Sequence, residues 1–192
     1  MIAQAWAGRL VLAATIFSLS LLGPTNPAAQ EPAGPSSRQI VSGRIKVNGK
    51  SVAPGFEIAS GDTVETAKGS SAVVSLGKLG RVEALPASKM NITFDDSSMT
   101  IKLEAGAARI TKAEGMTATV STKDATVVAM TPLQASFVVD IGCGNTLVIV
   151  SAGNVELRAG SSVKQIAAGS QDSAGQAYRG CKPKSSTIKS RS

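Results

Sequence analysis

Residues 103–110, "LEAGAARI", return forty-seven positions later as "VSAGNVEL", residues 150–157. Leu103, Ala108 and Ile110 align with Val150, Val155 and Leu157, and Gly106 aligns with Gly153. Each copy reads as a strand, a glycine corner and a second strand, because apolar residues alternate on both sides of the glycine. Glycine suits such a corner: it takes a positive φ, and without a Cβ it lets two backbones approach. Two copies with a shared alternation fit a pseudo-symmetric all-β domain, either a sandwich or a rolled, jelly-like barrel. Two units are too few for a solenoid.

Outward from these corners the same alternation continues. "GRIKVNGKSV" sets Ile45 and Val47 before Asn48-Gly49, a strong hairpin signal because both turn positions tolerate positive φ. "GDTVET", "SSAVVSLG", "GRVEAL", "MNITF", "MTIKLEAG", "AARITK", "MTATVST", "ATVVAM", "ASFVVDIG", "NTLVIVSAG", "NVELRAG" and "SVKQIAAG" follow, broken by Gly, Asp-Asp or Ser-Gly. The count is about a dozen short strands, with no segment of helical period. "LVIV", Leu147 to Val150, is continuous apolar, short, β-branched and bounded by Asn145 and Gly153, which reads as a buried strand. "FDDSS" and "GCGN" read as hairpin tips.

Ahead of the strands, Arg9 is the only charge before an apolar run from Leu10 to Leu22, the length of a signal-peptide core. Ala28 and Ala29 offer a cleavage site, with Pro27 three positions before an Ala29–Gln30 cut. The alternative is a retained anchor, since Ile2 to Leu22 approaches the roughly 20 apolar residues that cross a bilayer. The expected organisation is a signal peptide or anchor at 1–29, a Pro- and Ser-rich linker at 30–39, a β-domain at 40–178 and a basic flexible tail at 179–192. Cleavage implies a periplasmic or secreted protein; retention implies a single-pass inner-membrane protein with a periplasmic domain, and only then a membrane partner. Either way Cys143 and Cys181 face oxidising conditions, so a disulfide between them is expected, with two unpaired thiols as the alternative.

The formal charge of +7 is concentrated at the end of the chain. Residues 179–192 carry five basic side chains and no acidic one, whereas Gln30 to Tyr178 holds 14 basic and 13 acidic. A neutral body with a basic end argues against nucleic-acid binding and leaves Lys182, Lys184, Lys189 and Arg191 for an anionic envelope component or an acidic protein, or simply for solvent.

At the strand and corner residues the chain resembles the FecR-like domain, a β-rich domain of the bacterial cell envelope. The pieces that carry the resemblance are Gly61 to Thr66 with "SSAVVSLG" and "GRVEAL" behind it, the corner at Gly106, "ASFVVD", and "VSAGNVEL", together spanning roughly Ala59 to Ser173. Where that family has Gly-Thr before a phenylalanine, this chain has Gln134 and Ala135 before Phe137, so the corner there is expected to differ. The family's signalling members are anti-sigma regulators with a cytoplasmic segment and a transmembrane helix ahead of this domain. Only nine residues precede the apolar segment here, so sigma-factor control by this chain alone is not expected.

Histidine is absent, which removes the commonest general base and a frequent metal ligand together. Asp95 and Asp96 are adjacent, but on a strand they would point to opposite faces, and a hairpin tip explains them better than a catalytic pair or a calcium site. An enzyme using Asp95, Asp96 or Asp140 is the least favoured reading. No metal or cofactor is expected, no Gly-rich phosphate loop leads into a helix, and aromatics are too few for a base-stacking platform. The expectation is a non-catalytic exported β-domain acting as a binding or scaffolding module, with a membrane-tethered signalling partner as the alternative.

Overall fold

The structure is a computed structural model, and it describes residues 38–129 and 132–182. Sixteen strands form two sheets. They are β1 (Arg38–Gly43), β2 (Ile45–Val47), β3 (Lys50–Val52), β4 (Asp62–Thr66), β5 (Ala72–Leu76), β6 (Gly80–Ala84), β7 (Lys89–Phe94), β8 (Ser98–Ala105), β9 (Ala107–Lys112), β10 (Thr117–Ser121), β11 (Thr126–Ala129), β12 (Ala135–Asp140), β13 (Thr146–Ala152), β14 (Asn154–Ala159), β15 (Ser162–Ala167) and β16 (Gln171–Ala174). A single 3₁₀ turn, Gly77–Leu79, joins β5 to β6, and no α-helix occurs among the described residues.

A seven-stranded sheet runs β1-β5-β6-β9-β12-β13-β16, and a nine-stranded sheet runs β15-β14-β11-β10-β8-β7-β4-β2-β3. Of the two architectures open at the sequence level, the chain therefore adopts the open sandwich; neither sheet closes. The stretches read as strands correspond to fourteen strands, β2 to β15. The two not anticipated, β1 and β16, are the outer strands of the seven-stranded sheet. Strand β1, the first among the described residues, starts at Arg38, inside the stretch read as linker.

The quoted repeat is part of a longer one. In the β7–β8 hairpin Met90 pairs with Leu103, and in the β12–β13 hairpin Phe137 pairs with Val150, each partner forty-seven residues on. The register slips between Lys89 and Met90 in the first hairpin and between Ser136 and Phe137 in the second, again forty-seven apart. Gly106 then carries the chain from the nine-stranded sheet into β9 of the seven-stranded one, and Gly153 carries it back from β13 into β14. The repeat is thus a hairpin, a sheet-switching glycine and the strand beyond it, executed in opposite directions between the sheets.

Both reasons for glycine hold at these corners. Gly106 has φ +79°, and a Cβ there would lie 2.4 Å from Ser88 Oγ and 2.5 Å from the Ala87 carbonyl oxygen. Gly153 has φ +74°, and its Cβ would lie 2.6 Å from the Gln134 carbonyl oxygen. Ala87-Ser88 and Gln134-Ala135 are themselves equivalent across the repeat, so each corner rests on the preceding sheet crossing. The two corners differ at these positions. Ser88 Oγ accepts from Ala107 N–H at 2.9 Å and donates to the Ala107 carbonyl at 2.7 Å, whereas Ala135 has no hydroxyl.

The core lies between the sheets, where Val64, Met90, Ile92, Met99 and Ile101 of one meet Val74, Val82, Ile110, Phe137 and Val139 of the other. Alternation puts these side chains inward and the Thr, Lys and Glu of β8 and β10 outward. "LVIV" is buried on its Val148 and Val150 side, while Ile149 packs with Leu85, Ala107 and Val138 in a small cluster on the other face of the seven-stranded sheet.

Candidate functional site: the disulfide-pinned end of the sandwich

The pair registers place the turns after β4, β6, β8, β10, β12 and β14 at one end of the sandwich, together with the chain leaving β16. There Cys143, in the β12–β13 tip, is bonded to Cys181, with their Cα atoms 5.6 Å apart. The "GCGN" tip is a hairpin turn as read. The bond fastens the segment that follows β16 to the β12–β13 hairpin.

Residues 175–182 fold back over that tip. Tyr178 N–H donates to the Cys143 carbonyl at 2.9 Å, and Cys181 N–H donates to the Tyr178 carbonyl at 3.2 Å. The Tyr178 ring lies against Gly144, which has φ +82°; a Cβ on Gly144 would sit 2.5 Å from the ring. The tip is braced from below: Asp140, itself buried, accepts from Gly142 N–H at 2.7 Å, and Thr146 Oγ shares a 2.6 Å hydrogen bond with Thr122 Oγ. Arg179 and Lys182, the first bases of the expected tail, are thereby held at this end and exposed. Lys184, Lys189 and Arg191, like the leader, lie outside the described residues.

Beside the pinned segment is an open cleft of about 710 Å³. Lys102, Glu104 and Gly106 form one wall, Thr122 and Lys123 the next, and Ile141, Gly142, Gly144 and Tyr178 the third. Glu104 is 3.7 Å from Lys89, and Lys123 is 4.0 Å from Asp124. Lys102 makes no ion pair among the described residues, so the cleft carries a net positive edge.

Gly106 therefore stands on the cleft wall, while Gly153 lies at the opposite end of the sandwich; the structure does not bring them together. Asp95 and Asp96 are also at that far end, in the β7–β8 turn. Asp95 accepts from Ser97 N–H at 2.8 Å and from Ser98 N–H and Oγ at 2.7 and 2.6 Å. Those donors, led by the Ser98 hydroxyl, lower its pKa to about 2, the behaviour of a turn-closing carboxylate rather than of a base held ready near neutrality. Among the described residues no group of three or more His, Cys, Asp or Glu could hold a metal ion.

Two features escape sequence reasoning. Tyr178 stands in no motif of the sequence, and only folding sets it on Gly144. Lys112 reads as the polar end of "AARITK" yet is fully buried, its ammonium donating to the Ala113 carbonyl at 3.2 Å, and burial lowers its pKa. Its inward position follows from the alternation of Ala108 and Ile110, so the period contained that signal.

No protein-family model matches the chain, and no curated protein matches it. Two crystal structures of a "putative anti-sigma factor" from Parabacteroides distasonis ATCC 8503 align with it at 23% identity and a TM-score of 0.49, over 57% of this chain and 52% of theirs. The chain spans about half the length of those structures, and at that identity and score the likeness carries neither family nor function. What fold and disulfide define is a class: an open all-β sandwich whose disulfide points to an oxidising, extracytoplasmic compartment. Among the described residues no helix is long and apolar enough to cross a membrane.

Proposed function

We propose that this chain is an exported, non-catalytic β-domain of FecR type that serves as a binding or scaffolding module of the bacterial cell envelope. Its working surface is the disulfide-pinned end, and its partner is an acidic envelope component. The observation that carries this reading is the fold-back of residues 175–182, which fixes Arg179 and Lys182 at the same end as Lys102 and Lys123.

The sheet edges support the choice of surface. An exposed edge can take up a partner strand, but each edge here is blunted. Strand β1 has a bulge between Ile40 and Ser42, β3 has three residues and β16 four. Strand β15 turns Lys164 toward Asp172 of the other sheet, at 2.9 Å. Loops are left as the contact surface.

The test is twofold. Expressed with its leader, the protein should be recovered from the soluble envelope fraction with a non-reduced mass two hydrogens below that of the dithiol. The purified protein should bind pentaglutamate at low salt, and Arg179→Gln with Lys182→Gln should weaken that binding. Recovery of reduced protein, or indifference to acidic probes, refutes the reading.

A further inference from the structure

We propose that the cleft beside the disulfide is a saccharide subsite that takes an acidic sugar ring, stacked on Tyr178 with its carboxylate at Lys102 and Lys123. The proposal rests on the acidic-partner reading and names the chemistry of that partner.

Tyr178 is 69% exposed, and its ring contributes little to the core. Its backbone is nonetheless anchored and one side of its ring is packed. Its N–H is bonded to Cys143, the disulfide follows three residues later, and the ring packs on a glycine whose Cβ would collide with it. Large aromatic rings owe their usual stabilising role to burial. A ring carried on an anchored backbone, packed against Gly144 and open to solvent on a cleft wall, is preorganised for a partly apolar ligand, because little backbone freedom remains to be lost on binding.

The polar groups around the ring select the kind of ligand. Lys102 projects from the outer face of β8 without a carboxylate partner among the described residues, and Lys123 enters from the β10–β11 turn. Glu104, held by Lys89, is an acceptor for ring hydroxyls on the same wall. An aromatic face, one acceptor and two ammonium groups fit an alternation of C–H face, hydroxyl and carboxylate. A volume of about 710 Å³ lies in the range of small-ligand sites and accommodates a short oligosaccharide. An extended acidic peptide would use the lysines but offers no broad C–H face for the ring to stack on.

The test uses trigalacturonate as probe, with maltotriose and pentaglutamate as the neutral and non-sugar controls. Tyr178 is the only tyrosine, so its ring signals in the NMR spectrum of the full-length protein report the site directly. Trigalacturonate should shift those signals saturably and bind more tightly than either control. Tyr178→Ala should weaken it about tenfold while Tyr178→Phe retains it. Lys102→Ala with Lys123→Ala should abolish the preference for trigalacturonate over maltotriose. An unchanged thermal midpoint identifies each loss as local. Pentaglutamate binding equal to trigalacturonate and indifferent to Tyr178 would overturn the subsite and leave the acidic-partner reading standing. Silence toward both acidic probes would remove the two together.

Discussion

Replacing Gly106 by alanine isolates what the repeated corner requires. Two costs add. The residue sits at φ +79°, and an L-residue in that region loses roughly 1–2 kcal/mol, offset by about 0.4–1 kcal/mol from the restricted unfolded chain. The new methyl would also lie 2.4 Å from Ser88 Oγ, 2.5 Å from the Ala87 carbonyl oxygen and 2.7 Å from Ser88 Cα. Two of those atoms are backbone, so the crossing must move, at roughly 1–3 kcal/mol for an overpacked site. Moving it also strains the paired hydrogen bonds between Ser88 and Ala107. The expected loss is about 3 kcal/mol, a large part of the roughly 5–15 kcal/mol of an ordinary domain. Gly69→Ala is the control: its φ is +75°, but nothing lies within 4 Å of its Cβ position, so it should lose only about 1 kcal/mol. Urea unfolding at fixed pH measures both midpoints. A Gly106→Ala loss no greater than that of Gly69→Ala refutes the close-approach account, and Gly153→Ala should follow Gly106→Ala if the corners are equivalent.

Replacing both cysteines by serine should cost about 4 kcal/mol in the chain-entropy model for the observed separation of 38 residues, or about 10 °C in thermal midpoint, measured without reductant. A smaller loss indicates that residues 175–182 become free in the folded protein as well. The depressed pKa of Asp95 makes a signed prediction. A carboxylate whose folded pKa lies below its unfolded value stabilises the fold above about pH 3.8, and that contribution fades as pH falls toward 2. Asp95→Asn should therefore lower the urea midpoint at pH 6 and differ little from the parent at pH 2; a constant difference refutes the assignment. Lys112→Met should raise stability by about 1 kcal/mol at pH 7, because a buried ammonium with one carbonyl partner is replaced by an apolar side chain of similar length. The folded pKa of Lys112 is lowered, so the parent should gain stability as pH approaches 10, and the variant should lack that gain.

Most strands were legible because alternation marks a side chain facing a core, and every strand from β4 to β14 keeps it for at least part of its length. Strands β1 and β16 were not. "RQIVSG" and "QDSA" lie at the rims of the seven-stranded sheet, and of "QDSA" only Ala174 is buried, so a period of two has nothing to act on. The glycine corners were legible as corners but not as transfers between sheets, since period two says which face is buried and not which sheet the strand joins. The cysteines indicated a bond through compartment logic, whereas the seating of Tyr178 on Gly144 depends on turns that meet only in the fold.

The position of the cleft follows from the topology. Strand β9 alone crosses the length of the sandwich in its sheet between two crossings, at Gly106 and at Ala113–Met116. Strand β8 therefore enters one end of β9 and β10 leaves the other, which makes β8 and β10 the parallel pair of the nine-stranded sheet. Neighbouring antiparallel strands can be joined across their common end by a tight turn; parallel neighbours cannot. At the disulfide-bearing end β8 departs to the opposite sheet through Gly106 while β10 turns toward β11 through Thr122 to Ala125, so the two chains diverge. The space between them is floored by Lys102 to Gly106 on one side and Thr122 and Lys123 on the other, and the Cys143–Cys181 bond holds Tyr178 over it. The reversal of sheets between the two copies of the repeat is thus what opens the cleft, and the disulfide sets an aromatic ring at its edge.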